Sequence, residues 1–155
     1  MLPIDPYTVS HYNTAMKKPA PSSVLEVGCA IIRHQNKLLI AQRRMDDHLG
    51  GYWEFPGGKR NDNETLEECL VREVEEELGV TIVPVRFFQK MEHPYPERIL
   101  SLNFYLCDWK SGEPCARDCH AFRWIEPEAL RDFKFPPADD GIIEELIRNK
   151  SRYFL

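Results

Sequence analysis

Residues 58–80 read G-K-R-N-D-N-E-T-L-E-E-C-L-V-R-E-V-E-E-E-L-G-V, and this stretch decides how the whole chain is interpreted. Thr65 and Glu68 have the spacing of a capping box, which predicts a helix that begins just after Thr65. Gly79 suits the left-handed position at which helices end. Because neither proline nor glycine interrupts the segment between these two signals, the sequence predicts a single uninterrupted helix there.

The acidity of the protein is concentrated in this helix. Seven glutamates and one base, Arg72, lie between positions 64 and 77, so the segment carries −6 while the whole chain carries −5. The rest of the chain therefore carries about +1. A net negative charge disfavours a protein that binds duplex nucleic acid through a broad basic surface.

The phase of the acidic residues on the helix leaves two interpretations open. At about 100° per residue, Glu73, Glu76 and Glu77 fall at the edge of the apolar stripe. That stripe consists of Leu66, Leu70, Val74 and Leu78. Carboxylates at this spacing repel one another, and a hard divalent cation would remove the repulsion. Arg72 is expected to relieve part of it by pairing with Glu68 and Glu76. The alternative is an ordinary solvated helix face.

Outside this helix the chain alternates strand-like and helical segments. One domain is predicted over residues 22–155, and residues 1–21, rich in proline, are predicted to be an N-terminal extension. The expected strands are 24–33, 38–42, 52–55, 81–91, 99–109 and 121–125. A helical turn is expected at 127–130 and a C-terminal helix at 139–148. This order predicts a layered α/β or α+β fold.

The cysteines and the apolar segments bear on the compartment. Five cysteines without a C-x-x-C pair fit reduced thiols in a cytosol better than a disulfide framework. No apolar run approaches the roughly 18 residues of a membrane span, and the N-terminus does not resemble a secretory signal. We therefore expect a cytoplasmic protein without a membrane partner. Cys115, Cys119 and His120 lack a fourth ligand nearby, which disfavours a zinc site.

The acidic helix and the loop before it resemble the signature of the Nudix hydrolase family. The matching positions are Gly58, Glu64, Arg72, Glu73, Val74, Glu76, Glu77, Gly79 and Val80. The segments W-E-F-P-G-G-K and F-P-P-A-D are similar to the MutT-like branch, and the likeness covers about residues 24–148. It implies a mixed β-sheet sandwiched between α-helices. It also implies Mg²⁺-dependent (or Mn²⁺-dependent) cleavage of a nucleoside triphosphate to a monophosphate and pyrophosphate, with water attacking the β-phosphorus.

The same resemblance implies roles for the acidic residues. Glu77, Glu76 and Glu73 would hold the metal ion, together with a carbonyl group of Gly57 or Gly58. Glu73 would also act as the base that orients or deprotonates water. The implied catalytic residues are Glu73, Arg72 and Glu76. Asp118 aligns with an assisting loop carboxylate, although MutT has the longer Glu at that position.

The resemblance also implies a substrate site. Arg43 would contact phosphate and His48 the nucleotide. The other implied substrate-binding residues are Glu54, Phe55, Pro56, Gly57, Tyr95, Arg98 and Asp139. Phe55 has an alternative role as a core residue.

Asp139 stands where MutT has Asn, and this difference leaves open which nucleobase the substrate carries. Ionised Asp only accepts hydrogen bonds, which suits the amino group of cytosine or the N1–H and N2–H₂ edge of guanine. Its alternative role is to cap the last helix. The implied substrate is therefore 8-oxo-dGTP, or CTP or 5-methyl-dCTP, in sanitation of the nucleotide pool.

Two other functions are compatible with the signature. One is hydrolysis of nucleoside diphosphate sugars, but no additional substrate domain is visible. The other is a non-catalytic nucleotide sensor, which the complete set of signature glutamates disfavours. In every case the expected partner is a small nucleotide rather than a nucleic-acid polymer. The sequence leaves both a monomer and a dimer open.

Overall fold

A computed structural model describes residues 23–154, so the predicted N-terminal extension lies outside the described residues. Within residues 23–154, seven strands form one sheet. They are β1 Val24–His34, β2 Lys37–Gln42, β3 Trp53–Glu54, β4 Gly57–Lys59, β5 Thr81–Pro94, β6 Ile99–Ser111 and β7 Ala121–Ile125. The main order is β3-β2-β1-β6-β5, while β4 pairs with β1 and β7 with β2. The sheet is mixed because β1 and β6 are parallel and the other pairs are antiparallel.

The helical elements cover both faces of this sheet. They are α1 Leu66–Leu78, α2 Asp140–Arg148 and α3 Lys150–Tyr153, with short 3₁₀ turns at Pro127–Asp132 and Pro137–Asp139. The predicted C-terminal helix therefore begins one residue later than expected. None of the helices within residues 23–154 is long and apolar enough to cross a membrane.

Alternation along β1 divides the core into two layers. Ala30 and Ile32 belong to the cluster that packs against α1, whereas Cys29 and Ile31 belong to the cluster that packs against α2. Successive side chains of a strand point to opposite faces of the sheet, and in β1 both faces are buried. The predicted sandwich of a mixed sheet between helices is thereby confirmed.

Strand β4 is the element that the sequence did not predict. Its residues, Gly57–Lys59, were not among the expected strands, since Gly-Gly-Lys has no apolar alternation. They instead pair with residues 27–29 of β1. A Cβ atom at Gly57 would lie 1.8 Å from the carbonyl oxygen of Gly28, so the close approach of the two backbones requires glycine at this position.

Candidate active site

The start and the end of α1 are fixed by local hydrogen bonds. The backbone N–H of Glu68 donates to Thr65 Oγ1 at 3.1 Å, and the backbone N–H of Thr65 donates to Glu68 Oε1 at 3.4 Å. Gly79 adopts a left-handed conformation with φ of +70°, and its N–H donates to the carbonyl oxygen of Glu75. Both predicted signals are confirmed. They set the rotational position of every glutamate on the helix.

The packing of α1 on the sheet decides which glutamates are buried. The buried apolar residues of the helix are Leu70, Val74 and Leu78. Glu77 lies next to this stripe and is only 8% exposed. The side chain of Glu73 is 22% exposed, whereas that of Glu76 is 58% exposed. The three predicted metal ligands therefore range from a buried carboxylate to a solvated one.

Gly57 and Gly58 of β4 meet α1 at Glu73 and Glu77. The backbone N–H of Gly57 donates to Glu77 Oε2 at 3.4 Å. A Cβ atom at Gly58 would lie 2.4 Å from the carboxyl carbon of Glu73, so glycine leaves the space that this carboxylate fills. The Gly58 carbonyl accepts a hydrogen bond from the Cys69 thiol at 3.4 Å. In the structure the contact from Gly57 to the carboxylates is thus made through its N–H group.

Arg72 joins the acidic residues of the loop and the helix. Its guanidinium binds both carboxylate oxygens of Glu64, at 2.6 and 3.0 Å. It also donates to Glu73 at 2.9 Å and to Glu76 at 3.2 Å. The predicted pairing with Glu68 is wrong, because the Glu68 carboxylate is used in the capping box. The hydrogen bonds from Arg72 lower the pKa of Glu64 to about 2.

Burial and mutual repulsion shape the electrostatics of the remaining acids. Loss of hydration raises the pKa of Glu77 well above its usual value, and the neighbouring charge of Glu54 raises it further. Burial also raises the pKa of Glu73 and of Glu54, against the lowering effects of Arg72 and Arg43 respectively. A cation that offsets these charges fits this oxygen-rich donor set. Within residues 23–154, however, no three Asp, Glu, His or Cys side chains lie close enough together to hold a cation in their present positions.

Arg43 is ion-paired in the structure. Its Nη1 lies 3.0 Å from Glu54 Oε2, and its Nε donates to the carbonyl oxygen of His48 at 2.8 Å. Both side chains of the ion pair are largely buried. The structure thus brings three predicted substrate-binding residues together, although Arg43 here holds Glu54 and the loop between β2 and β3.

A second loop, between β6 and β7, closes over the end of α1. The N–H of Cys115 donates to the Leu78 carbonyl, and the N–H of Asp118 donates to the Glu77 carbonyl at 3.1 Å. The Asp118 carboxylate, the predicted assisting group, pairs with Arg44 at 3.2 Å. Arg44 was not among the predicted site residues. It directly follows Arg43 in the sequence, and its partner Asp118 lies 74 positions away.

Phe55 and Asp139 are both buried. Phe55 is 2% exposed and packs against the rings of Phe104 and Phe135, so its alternative role in the core is confirmed. Asp139 is fully buried at the start of α2. Its side chain makes no capping hydrogen bond with that helix, so the capping interpretation is wrong. The N–H of Trp53 donates to the Lys134 carbonyl, which holds the segment before Asp139 beside β3.

The other predicted substrate residues are Tyr95, Arg98 and Pro56. Tyr95 and Arg98 occupy the turn between β5 and β6, where the N–H of Tyr95 donates to the Arg98 carbonyl. Tyr95 packs against the core cluster that also contains Phe55. Pro56 supplies a backbone carbonyl that accepts from Ala30 N–H at 2.7 Å.

Comparison with known proteins agrees with this geometry. The NUDIX domain family model matches residues 27–145. The 8-oxo-dGTP diphosphatase of Escherichia coli K12 is 36% identical over 125 residues, covering 80% of this chain and 97% of that protein. The CTP pyrophosphohydrolase of the same organism is 32% identical, covering 78% and 90%. A solved MutT from work on Aliivibrio salmonicida and Vibrio cholerae superposes with a TM-score of 0.69 at 30% identity, covering 81% and 97%. The chain therefore belongs to the NUDIX domain family, and within it to the MutT-like proteins.

Proposed function

We infer that the chain is a Mg²⁺-dependent nucleoside triphosphate diphosphatase that releases a nucleoside monophosphate and pyrophosphate. The observation that carries this inference is the placement of Glu73 and Glu77 against Gly57 and Gly58 of β4, at the buried edge of α1. The names of the relatives, an 8-oxo-dGTP diphosphatase and a CTP pyrophosphohydrolase, support the same reaction. Together they support a role in sanitation of the nucleotide pool. The reduced thiols fit a cytoplasmic location.

The proposed metal ligands are the carboxylates of Glu77, Glu73 and Glu76, with a Gly57 or Gly58 carbonyl. Mn²⁺ is compatible with the same oxygen donors. When bound, the ion neutralises phosphate oxygens and the developing negative charge of the reaction. Glu77 is the strongest candidate, because its carboxylate is buried and, within residues 23–154, receives no guanidinium hydrogen bond of the kind that Glu64 receives from Arg72.

Glu73 is the proposed base. Its carboxylate lies against Gly58, where it would orient or deprotonate the water that attacks the β-phosphorus. Burial raises its pKa toward the range in which a carboxylate can accept a proton. The Arg72 hydrogen bond at 2.9 Å fixes the position of the carboxylate. Attack at the β-phosphorus breaks its bond to the bridging oxygen, so the nucleoside monophosphate leaves with that oxygen and the water oxygen enters pyrophosphate.

We assign recognition of the nucleobase to Asp139. A buried carboxylate can accept hydrogen bonds from exocyclic amino groups and ring N–H groups. An ionised Asp139 favours cytosine N4–H₂ or the N1–H and N2–H₂ edge of a guanine. The substrate is thus a guanine-type triphosphate such as 8-oxo-dGTP, or a cytidine triphosphate such as CTP or 5-methyl-dCTP.

A substrate panel tests this function. We expect Mg²⁺-dependent release of monophosphate and pyrophosphate from 8-oxo-dGTP, dGTP, CTP or 5-methyl-dCTP, with kcat/KM differing clearly among bases. Asp139→Asn should change the order of bases more than it changes turnover on the best base, because Asn adds a donor. Equal losses on all bases would contradict the role of Asp139. Failure to hydrolyse any triphosphate would contradict the reaction itself.

A further inference from the structure

A polar cleft lies beside the proposed metal ligands. It has a volume of about 610 Å³ and lies between the loop after β2 and the loop before β7. Three of its lining residues, Arg44, Arg117 and His120, carry or can carry positive charge, and two, Asp46 and Asp118, carry negative charge. This distribution suits a ligand with several anionic oxygens once the internal carboxylate partners are displaced.

The cleft is joined to the proposed metal ligands through the backbone. The N–H of Asp118 donates to the carbonyl oxygen of Glu77, the buried carboxylate of α1. Burial raises the pKa of the neighbouring Cys119 thiol to about 12, and the charges of Glu77 and Glu54 add to that shift. Asp118 and Cys119, which line the cleft, therefore lie close to Glu77.

Arg44 makes two exposed ion pairs in the cleft. Its Nη1 lies 3.2 Å from Asp118 Oδ1, and its Nε lies 3.3 Å from Asp46 Oδ1. The side chains of Arg44 and Asp118 are 50% and 68% exposed. Ion pairs at such exposure are weak. A phosphate group, by contrast, offers a guanidinium two oxygens in a matching plane.

We propose that Arg44 binds the β- and γ-phosphates of the substrate, which become pyrophosphate, by exchanging Asp118 for phosphate oxygens. This inference rests on the proposed function and assigns a residue that holds the part of the substrate that water attacks. The exchange releases the Asp118 carboxylate while its backbone stays bound to Glu77. Asp118 is then available as an assisting carboxylate only when a polyphosphate occupies the cleft. Arg44 is thus a substrate-binding residue, and its ion pair with Asp118 is the resting state of the cleft.

Calorimetric titration with inorganic pyrophosphate, in the presence of a chelator of divalent cations, tests this exchange. We expect Arg44→Gln to weaken binding about 10-fold, since it removes a charge-assisted hydrogen bond. Arg44→Lys should retain part of the affinity, and Asp118→Asn should increase it, because the competing carboxylate is gone. Arg131→Gln is the matched control, since Arg131 is also exposed and ion-paired, to Glu144 on α2. It should bind pyrophosphate like the wild-type protein.

A kinetic measurement separates the failure of this inference from the failure of the proposed function. With triphosphate substrates, Arg44→Gln should raise KM about 10-fold and change kcat little, as expected when a contact is equally strong before and during the reaction. Pyrophosphate binding that is undetectable in the wild-type protein, or equal in wild type and Arg44→Gln, overturns the inference, even if triphosphates are hydrolysed. If no variant hydrolyses any triphosphate but pyrophosphate binding depends on Arg44, the proposed function is wrong and the anion site remains.

Discussion

Glu77 is a carboxylate that α1 holds at a position almost closed to water. The N–H of Gly57 donates a hydrogen bond to this carboxylate, whereas Glu54 and Glu73 add repulsion. Glu64, by contrast, receives two hydrogen bonds from Arg72 and has a pKa of about 2. Two glutamates of one signature thus have opposite electrostatic environments. Glu64, which is paired with Arg72, anchors the loop to the helix. Glu77, which is buried beside other carboxylates, is suited to bind a cation.

The raised pKa of Glu77 predicts a pH dependence of stability in the metal-free protein. The folded state holds the Glu77 proton more tightly than the unfolded state, in which the carboxyl has its ordinary pKa of 4.5. The free energy of unfolding should therefore fall as pH rises above about 4.5, until the pH exceeds the raised pKa. Urea unfolding at pH 5 and pH 8 with a chelator measures this. Glu77→Gln should lose less stability between the two pH values than wild type, and an equal loss would contradict the assigned environment.

At the residue scale, the sequence predicted which side chains occupy the site better than it predicted which side chains pair with one another. The glutamate phases follow from helix geometry, so Glu73, Glu76 and Glu77 lie where the sequence predicted. The Arg72–Glu68 pair was wrong because a capping box and an ion pair compete for one carboxylate. Arg44 could not be paired with Asp118 from the sequence, since 74 positions separate them and only the fold brings their loops together.

At the scale of elements, β4 and α1 form the site by direct contact. Gly58 leaves room for the Glu73 carboxyl group, and Leu70 packs against Gly28 of the neighbouring strand β1. The helix ends were predictable because Thr65 and Gly79 act locally. Strand β4 was not, because its three residues become a strand only through pairing with β1.

The contact between Gly58 and Glu73 predicts a specific effect of substitution. A Cβ atom at position 58 would lie 2.4–2.6 Å from the Glu73 carboxyl atoms, so Gly58→Ala must displace the proposed base. We expect kcat for triphosphate hydrolysis to fall at least ~10-fold, because small misplacements of catalytic groups are costly. Gly141→Ala on α2 is the control, since a Cβ atom there has no neighbour within 4 Å. It should keep full activity and gain about 0.5–1 kcal/mol of stability. Normal kcat in Gly58→Ala would contradict the placement of Glu73.

At the scale of the whole molecule, the sheet separates two apolar layers and carries the site along one of them. The layer beneath α1 contains Leu70, Val74 and Leu78, so it fixes the helix that presents the glutamates. The layer beneath α2 contains Phe55 and Phe135, which lie beside the segment of Asp139. The net charge of −5 then has a simple origin. Its acidic excess lies on the helix proposed to bind the cation, while Arg43, Arg44 and Arg117 lie on the surrounding loops.

Mg²⁺-dependent hydrolysis of nucleoside triphosphates by wild type, Glu77→Gln and Glu67→Gln tests the central claim most directly. Glu67 is exposed in the first turn of the same helix, so its substitution makes the same change in charge away from the proposed metal ligands. We predict monophosphate and pyrophosphate from wild type and Glu67→Gln at similar rates. Glu77→Gln should lose at least ~100-fold in kcat/KM. Mg²⁺ should also raise the Tm of wild type more than that of Glu77→Gln. Equal Mg²⁺-dependent rates in wild type and Glu77→Gln would contradict the claim that the buried carboxylate of α1 holds the catalytic cation.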